Sequence, residues 1–317
     1  MKLGLLLPGQ GAQEVGMGAD FVQQSTAAAE LFQKADEVLG IPLSRICFEG
    51  PSEELTATDV AQPAIYVCSL AALAAFEQSV TAIEPVMAAG LSLGEYTALA
   101  AAGALSFEDG LRLVRLRGEA MQEASNAKPS SMTSVMGMDV DALNKLCAEV
   151  AAETGMICQV ANLNSPGQIV VSGEVGALDV FDGRAKEAGA RRAIRLTVAG
   201  AFHSEVMRPA ADKLNAALES TEFRAPQCPV WQNATAAPSA DPVELKKQLA
   251  AQLTAPVRWE ESYRQMAAEL EDGVAFLEPA PGRVLAGLAR KIAPGRTIHS
   301  LPKADALESL KTELSPA

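Results

Sequence analysis

One serine lies in a glycine-bounded motif that is typical of covalent catalysis. Residues 90–94 read Gly-Leu-Ser-Leu-Gly, and they separate an apolar run of strand length from a helix-forming segment. The two glycines allow a tight turn that presents the Ser92 hydroxyl at the carboxyl edge of a sheet, over a helix N-terminus. The five-residue pattern is common, but its position between a strand and a helix makes it more specific. We therefore interpret Ser92 as a nucleophile.

A nucleophilic serine needs a base, and histidine is the side chain whose unperturbed pKa suits that role near neutral pH. The sequence contains two histidines, His203 and His299. A lone histidine is ordinarily a surface residue or a hydrogen-bonded core residue. His203, however, lies between a run of short elements and the next helix, and clefts form at junctions of that kind. We predict that His203 is the base.

The elements that must position these side chains follow an α/β pattern. Apolar runs of strand length alternate with longer helical segments, which indicates a largely parallel, buried sheet. These runs are 3–7, 86–89 and 274–277. Together with the serine turn, the pattern predicts an α/β-hydrolase-like large domain with a mostly parallel sheet.

Proline and capping residues predict where two of the helices begin. A helix over 62–78 carries Pro63 in its first turn, where the missing N–H is tolerated. In another helix Asp241, Pro242 and Glu244 have the spacing of an N-cap, a first-position proline and a capping-box acid.

The spacing of elements changes between residues 130 and 197. Shorter segments there predict the order strand, helix, strand, strand, helix, strand, which is a ferredoxin-like βαββαβ unit. Proline, serine and glycine at 128–131 and at 198–200 mark its linkers. We predict a small domain at 130–197, inserted into a discontinuous large domain formed by 1–129 and 198–317.

Composition excludes several classes of function. The 317 residues carry 26 basic and 39 acidic side chains, and the net charge of −13 argues against a nucleic-acid or membrane-surface protein. Five widely spaced cysteines predict neither a disulfide framework nor a metal site, and they favour a reducing compartment. The longest apolar stretch is shorter than the ~18 residues of a membrane span. We expect a cytoplasmic protein.

The serine motif is one of seven short segments that form a longer pattern. They are Pro-Gly-Gln-Gly-Ala-Gln at 8–13, Gly-Leu-Ser-Leu-Gly-Glu-Tyr at 90–96, Arg-Leu-Arg-Gly at 115–118, Asn-Leu-Asn-Ser-Pro-Gly-Gln at 162–168, Ala-Phe-His-Ser at 201–204, Gln252 before Pro-Val-Arg-Trp at 256–259, and Pro-Gly-Arg-Val-Leu at 281–285. In this order, over essentially the whole chain, they resemble the malonyl-CoA:acyl carrier protein transacylase family. Seven ordered matches are far more specific than any one of them.

The resemblance implies a catalytic dyad of Ser92 and His203, with the histidine oriented by the backbone carbonyl of Gln252 in place of an acid. It also implies that the backbone amides of Gln10 and Leu93 form an oxyanion hole. Two such donors stabilise the negative charge that develops on a tetrahedral intermediate.

The resemblance assigns Arg117 to the free carboxylate of the malonyl group, because a guanidinium matches a carboxylate with two parallel hydrogen bonds. From the residues alone, a solvated arginine on a helix is the ordinary alternative. Asn162 is also expected in the substrate site, and Phe202 resembles the malonyl-selecting form of the family. Leu91 stands where the family usually has histidine, at a position that lines the acyl pocket in the family, so the resemblance leaves the fine acyl selectivity open.

The implied reaction transfers a malonyl group from malonyl-CoA to an acyl carrier protein in fatty acid biosynthesis, without metal or cofactor. Carrier proteins of this pathway are acidic, so a net-acidic enzyme needs a local basic surface. The candidates for this surface are Lys186, Arg191, Arg192, Arg195, Arg283, Arg290 and Lys291.

Three alternatives remain open at the level of sequence. A serine thioesterase or other hydrolase uses the same elbow and histidine, although no clear acid follows in hydrolase order. A discrete acyltransferase of a polyketide pathway has the same chemistry with a different carrier protein. A non-catalytic scaffold would have no reason to keep Ser92, His203, Arg117 and Gln10 together.

Overall fold

The computed structural model describes residues 1–314, which form fourteen α-helices and ten β-strands. The first third contains β1 Lys2–Leu7, α1 Ala19–Gln24, α2 Thr26–Leu39, α3 Leu43–Glu49, α4 Ser52–Thr56, α5 Thr58–Ser79, β2 Glu84–Gly90, α6 Gly94–Ala101 and α7 Phe107–Ala127. The middle contains β3 Ser130–Met136, α8 Val140–Thr154, β4 Cys158–Ser165, β5 Gln168–Glu174, α9 Val175–Ala185 and β6 Arg192–Arg195. The last third contains a 3₁₀ turn Glu205–Met207, α10 Arg208–Ser220, β7 Val230–Trp231, β8 Pro238–Ser239, α11 Pro242–Gln252, α12 Trp259–Glu269, β9 Ala275–Pro279, α13 Val284–Ile292, β10 Ile298–Leu301 and α14 Ala306–Leu314.

The larger sheet has six strands in the order β10-β9-β1-β2-β7-β8. All neighbours in it are parallel except β7 and β8. Strand β1 is buried along its length apart from its first residue, because helices cover both faces of the sheet. Because both faces of the sheet are covered, the sequence of β1 is an uninterrupted apolar run after Lys2.

The smaller sheet is antiparallel, with the order β4-β5-β3-β6. Its first strand in the chain, β3, therefore lies between the third and the fourth, as in a ferredoxin-like unit. Helices α8 and α9 pack on one face and form an apolar cluster with it. The predicted fold class, a mostly parallel α/β sheet with an inserted ferredoxin-like unit, is confirmed.

Helix α5 begins earlier than predicted, which corrects the position of Pro63. The helix starts at Thr58, so Pro63 lies inside it rather than in its first turn. The ring leaves the Asp59 carbonyl without its helical donor, and the Arg115 guanidinium supplies one at 2.8 Å from Nη1. Helix α5 is also long and apolar enough to cross a bilayer by composition, but 89% of its most apolar window is buried inside the protein.

The predicted capping box at the start of α11 is half right. The Asp241 side chain accepts a hydrogen bond from the Val243 N–H at 2.9 Å, and Pro242 occupies the first turn. The Glu244 carboxylate instead contacts Lys247 and the Gln248 side chain further along the helix. The prediction that Glu244 bonds back to the backbone of Asp241, as in a capping box, is therefore wrong.

Two glycines in helix interiors differ in the space around them, and this difference predicts their tolerance to alanine. A Cβ on Gly118 of α7 would lie 2.7 Å from backbone atoms of Thr58 and Asp59, whereas a Cβ on Gly183 of α9 would meet nothing within 4 Å. We expect Gly118→Ala to lower the free energy of unfolding by about 1–3 kcal/mol, the usual effect of overpacking. Gly183→Ala should raise it by about 0.5–1 kcal/mol through reduced backbone entropy.

Urea denaturation of the two variants, monitored by circular dichroism, measures this difference. Equal stability of the two variants would contradict the close packing of α7 against α5 that places Arg117.

Candidate active site

The nucleophile elbow is built by close backbone packing. A Cβ on Gly90 would lie 1.9 Å from backbone atoms of Gly94, and a Cβ on Gly94 would lie 2.2 Å from the Leu7 carbonyl oxygen. Ser92 between them has φ 55°, in the left-handed region that costs energy for a residue with a side chain. The motif needs glycine at both positions so that the turn can hold Ser92 in this conformation.

The side chain of Asn233, which follows β7, clamps the elbow. Its Oδ1 accepts a hydrogen bond from the Ser92 N–H at 2.6 Å, and its Nδ2 donates to the Gly90 carbonyl at 2.8 Å. Its backbone N–H donates to the buried Glu95 carboxylate at 2.9 Å. These contacts stabilise the strained conformation of Ser92 from the neighbouring strand.

The structure brings the two predicted catalytic side chains together. Ser92 Oγ lies 2.7 Å from His203 Nε2, and His203 Nδ1 lies 3.1 Å from the backbone carbonyl oxygen of Gln252. A carbonyl oxygen only accepts, so Nδ1 carries the proton and Nε2 is free to accept the proton of Ser92. The hydrogen-bond partner of the histidine is thus the Gln252 carbonyl that the resemblance named.

His203 is held in position by the smaller sheet. It has φ 56°, and with Ser92 it is one of three non-glycine residues of 1–314 with positive φ. The Ser172 hydroxyl of β5 donates to the Phe202 carbonyl at 2.5 Å, and the Ala201 N–H donates to the Ser130 hydroxyl of β3. The loop that carries His203 is thus anchored to the smaller sheet, whereas Ser92 follows β2 of the larger one.

Arg117 lies buried beneath the serine rather than in solvent. Its side chain is on α7, the residue is 1% exposed, and Nη2 donates to Ser92 Oγ at 3.0 Å. Neutral amide oxygens take its other hydrogen bonds: Gln62 Oε1 at 2.7 Å and Gln252 Oε1 at 3.1 Å. The Tyr96 ring centroid is 5.5 Å from its Cζ. Within residues 1–314 the guanidinium forms no ion pair, so its charge is available to a ligand.

Burial sets the charge states around the dyad. Desolvation, and then the charge of Arg117, lower the pKa of His203 to about 3, so the imidazole is neutral near pH 7. Desolvation also lowers the pKa of Arg117, but guanidinium remains protonated in proteins. The site therefore combines a neutral base with a permanent buried cation.

A cavity of about 560 Å³ opens onto the dyad between the two sheets. Six of the predicted site residues line it: Gln10, Leu91, Ser92, Asn162, Phe202 and His203. The other three, Leu93, Arg117 and Gln252, are buried directly behind this surface. No group of three or more histidine, cysteine, aspartate or glutamate side chains able to hold a metal ion occurs among residues 1–314.

Three polar residues of the site were not predicted from the sequence. Gln62 and Asn233 approach the elbow from α5 and from the β7 turn, and no local pattern marks either of them. Glu95 is adjacent to the motif and is 0% exposed. A charged residue inside an otherwise apolar helix segment, 94–101, was the one available signal. His299 lies on β10, at the far edge of the larger sheet, 3.5 Å from Glu313.

Comparison with known proteins identifies the family of this chain. Residues 5–300 match the family model described as acyl transferase domain. The chain belongs to this family. It is 44% identical over 319 aligned residues to the malonyl CoA-acyl carrier protein transacylase of Bacillus subtilis (strain 168), with 98% of each chain covered.

Solved structures of acyl transferases superpose closely on this chain. The acyl-carrier-protein-S-malonyltransferase from Bartonella henselae has a TM-score of 0.91 and 39% identity, with 98% of this chain and 99% of that chain covered. A malonyl-transacylase in complex with a type II PKS acyl-carrier protein has a TM-score of 0.91 and 37% identity, with 99% and 100% covered.

The lowered pKa of His203 predicts that its ring does not titrate near neutral pH. We expect ¹⁵N spectra of histidine-labelled protein to show one imidazole that stays neutral, with Nδ1 protonated, between about pH 5 and pH 8. A His299→Asn variant assigns the signal. A midpoint near the ordinary histidine pKa in that signal would contradict the buried, carbonyl-oriented arrangement.

Proposed function

We propose that this protein transfers a malonyl group from malonyl-CoA to the pantetheine thiol of an acyl carrier protein. The observation that carries the proposal is the buried Arg117, which touches Ser92 Oγ and has no carboxylate partner among residues 1–314. A buried cation without a counter-ion is costly unless a ligand supplies the negative charge. An acyl group with a free carboxylate, such as malonyl, supplies it; an acetyl group does not.

In the first half-reaction Ser92 Oγ attacks the thioester carbonyl while His203 Nε2 accepts its proton. The C–S bond breaks, the coenzyme A thiolate leaves and takes the proton from His203, and a malonyl-serine ester remains. Arg117 lies close enough to Ser92 Oγ to hold the distal carboxylate while the carbonyl carbon approaches the nucleophile.

The oxyanion of the tetrahedral intermediate is assigned to the backbone N–H groups of Gln10 and Leu93. Leu93 is the N-cap of α6, and neither N–H donates to an acceptor within the part of the chain that the structure describes. Free donors at a helix start, together with the positive end of its dipole, stabilise a developing negative charge. Only the backbone N–H of Gln10 is used in this role, and the residue also lines the cavity.

In the second half-reaction the carrier protein's thiol replaces coenzyme A. His203 removes the thiol proton and the sulfur attacks the malonyl-serine carbonyl. The ester C–O bond then breaks, and Ser92 Oγ takes the proton from His203, which restores both residues. Because one serine serves both halves, the kinetics are ping-pong. Leu91, Phe202 and Asn162 line the cavity at the acyl end and set which side groups fit beside the malonyl chain.

We assign the reaction to fatty acid biosynthesis and the protein to the cytoplasm, with a discontinuous large domain at 1–129 and 198–317 and a small domain at 130–197. The cytoplasmic assignment is supported by five cysteines that are all buried and free. The domain division is supported by the separate apolar cluster beneath the antiparallel sheet.

The covalent intermediate provides a direct test. After incubation with malonyl-CoA, we expect intact-protein mass spectrometry to show one malonyl adduct on the wild type and none on Ser92→Ala. Addition of an acyl carrier protein should discharge the adduct onto its pantetheine thiol. Accumulation of free malonate instead of malonyl carrier protein would show a hydrolase, and a wild type that never acylates would show a different donor or a scaffold.

Loss of the base should slow acylation without preventing substrate binding. We expect His203→Ala to lower the acylation rate by about two to four orders of magnitude, the usual contribution of a positioned base. His299→Ala, which removes the histidine at the far edge of the sheet, is the control and should leave the rate unchanged. Stopped-flow release of coenzyme A measures both, and an equal effect of the two substitutions would remove His203 from the mechanism.

A basic surface formed by the small domain and helix α13 is proposed to receive the acidic carrier protein. Arg192 of β6 is opposite Met136 of β3, which is in turn opposite Gln168 of β5. The Gln168 Oε1 lies 3.3 Å from Lys291 Nζ, so these contacts connect the Arg192 end of the small sheet to Lys291 of α13. Arg191 and Arg192 are exposed and form no ion pair within residues 1–314. Arg195 does not share this role, because Asp179 and Asp182 already pair with it.

Charge reversal tests this surface. We expect Arg191→Glu/Arg192→Glu to raise the KM for the carrier protein severalfold and to leave the KM for malonyl-CoA unchanged, because electrostatic steering acts on the charged partner. Lys145→Glu/Lys303→Glu changes two exposed lysines elsewhere by the same net charge and serves as the control. A similar rise in both KM values, or a similar effect of the control pair, would exclude docking at this surface.

A further inference from the structure

Gln252 connects all three groups of the proposed reaction. Its backbone carbonyl accepts from His203 Nδ1, its Oε1 accepts from Arg117 Nη2, and its Nε2 donates to the Ser92 carbonyl at 2.9 Å. The residue is 1% exposed, so water does not substitute for these contacts. The direction in which its amide points therefore matters for the whole site.

Two acceptors that face the side-chain nitrogen of Gln252 fix the direction of its amide. Nε2 has two N–H groups, and they donate to the Ser92 carbonyl and, at 2.8 Å, to Glu95 Oε2. A reversed amide would place its oxygen against these two acceptors and its N–H groups against the Arg117 guanidinium. Like groups facing each other in a buried site are unfavourable.

Glu95 is placed to enforce this direction. It is 0% exposed on α6, and its Oε2 accepts from both Gln252 Nε2 and the Asn233 N–H. Because two donors face it, Oε2 accepts in the ionised and in the protonated carboxyl alike. Glu95 touches neither Ser92 Oγ nor His203, so it does not act on the reacting atoms directly.

We propose that Glu95 is a positioning residue for acyl selectivity: by accepting from Gln252 it turns the Gln252 amide oxygen toward Arg117 and so holds the guanidinium against Ser92. This inference rests on the proposed malonyl transfer. It assigns to Glu95 an effect on the choice between acyl donors, beyond an effect on folding. Desolvation raises the pKa of Glu95 to about 7, although hydrogen bonds from Gln252 and Asn233 lower it. Burial thus disfavours the ionised carboxyl group, and a carboxyl group with so perturbed a pKa is typical of a functional site.

The test compares acylation by malonyl-CoA with acylation by acetyl-CoA in variants of Glu95. In Glu95→Leu, Gln252 loses an acceptor, and we expect the ratio of kcat/KM for malonyl-CoA to that for acetyl-CoA to fall by about tenfold. Glu95→Gln presents an amide oxygen to the same two donors and should recover most of that ratio. Thermal melting of each variant establishes that it is folded.

Glu278 provides a matched control. It is also 0% exposed, and its carboxylate accepts from the Leu285 and Ala286 N–H groups at the start of α13, away from the dyad. Glu278→Leu removes the same chemical group from the core, so it should lower the melting temperature and leave the malonyl-to-acetyl ratio unchanged.

A double-mutant comparison separates positioning from a general structural effect. If Glu95 acts through Arg117, Glu95→Leu should lower the ratio in the wild-type background and have almost no further effect in Arg117→Ala. Equal loss of both donors' rates in Glu95→Leu, or the same fall in Glu95→Gln or in Glu278→Leu, would overturn the proposal. Failure of the wild type itself to acylate with malonyl-CoA would instead overturn the proposed function, and this inference with it.

Discussion

The geometry of the site depends on the contact between Ser92 Oγ and His203 Nε2, because the two loops that carry these residues are anchored to different sheets. Ser92 follows a central strand of the parallel sheet, and His203 is fixed by hydroxyls of the antiparallel one. Backbone hydrogen bonds of Val257 to Ala161 and Leu163 join the two parts beside the cavity. Rigid packing at this junction keeps the distance at 2.7 Å.

Both members of the pair are held in left-handed backbone conformations, at φ 55° and 56°. Each such residue costs of order 1–3 kcal/mol, and it persists only where its surroundings over-determine it. Here the surroundings are specific: Asn233 clamps the serine turn, and Ser130 and Ser172 hold the loop before the histidine. The strain is thus tied to the geometry of the Ser92–His203 pair, and contacts from outside the serine motif stabilise it.

Neutral acceptors around Arg117 leave the charge of this buried guanidinium available to an anionic ligand. A carboxylate in contact would form a stable ion pair and would compete with an anionic substrate. Amide oxygens of Gln62 and Gln252 satisfy N–H groups without neutralising the charge. The nearest buried carboxyl group, Glu95, contacts the cation only through Gln252, which leaves the guanidinium oriented and still charged.

The fold class and the serine, histidine and arginine of the site could be predicted from the sequence. The spacing of apolar residues and the positions of glycine and proline predict the parallel sheet and the βαββαβ insertion, because these patterns are local. Gly90 and Gly94 identify Ser92, because the tight turn leaves no space for a Cβ at either position. The burial of Arg117, the pairing of Arg195 with Asp182, the contact of Gln62 with Arg117 and that of Asn233 with Glu95 arise only in the folded protein. Those contacts join side chains from separate elements of the fold, and such pairings leave no periodic pattern in the sequence from which they could be predicted.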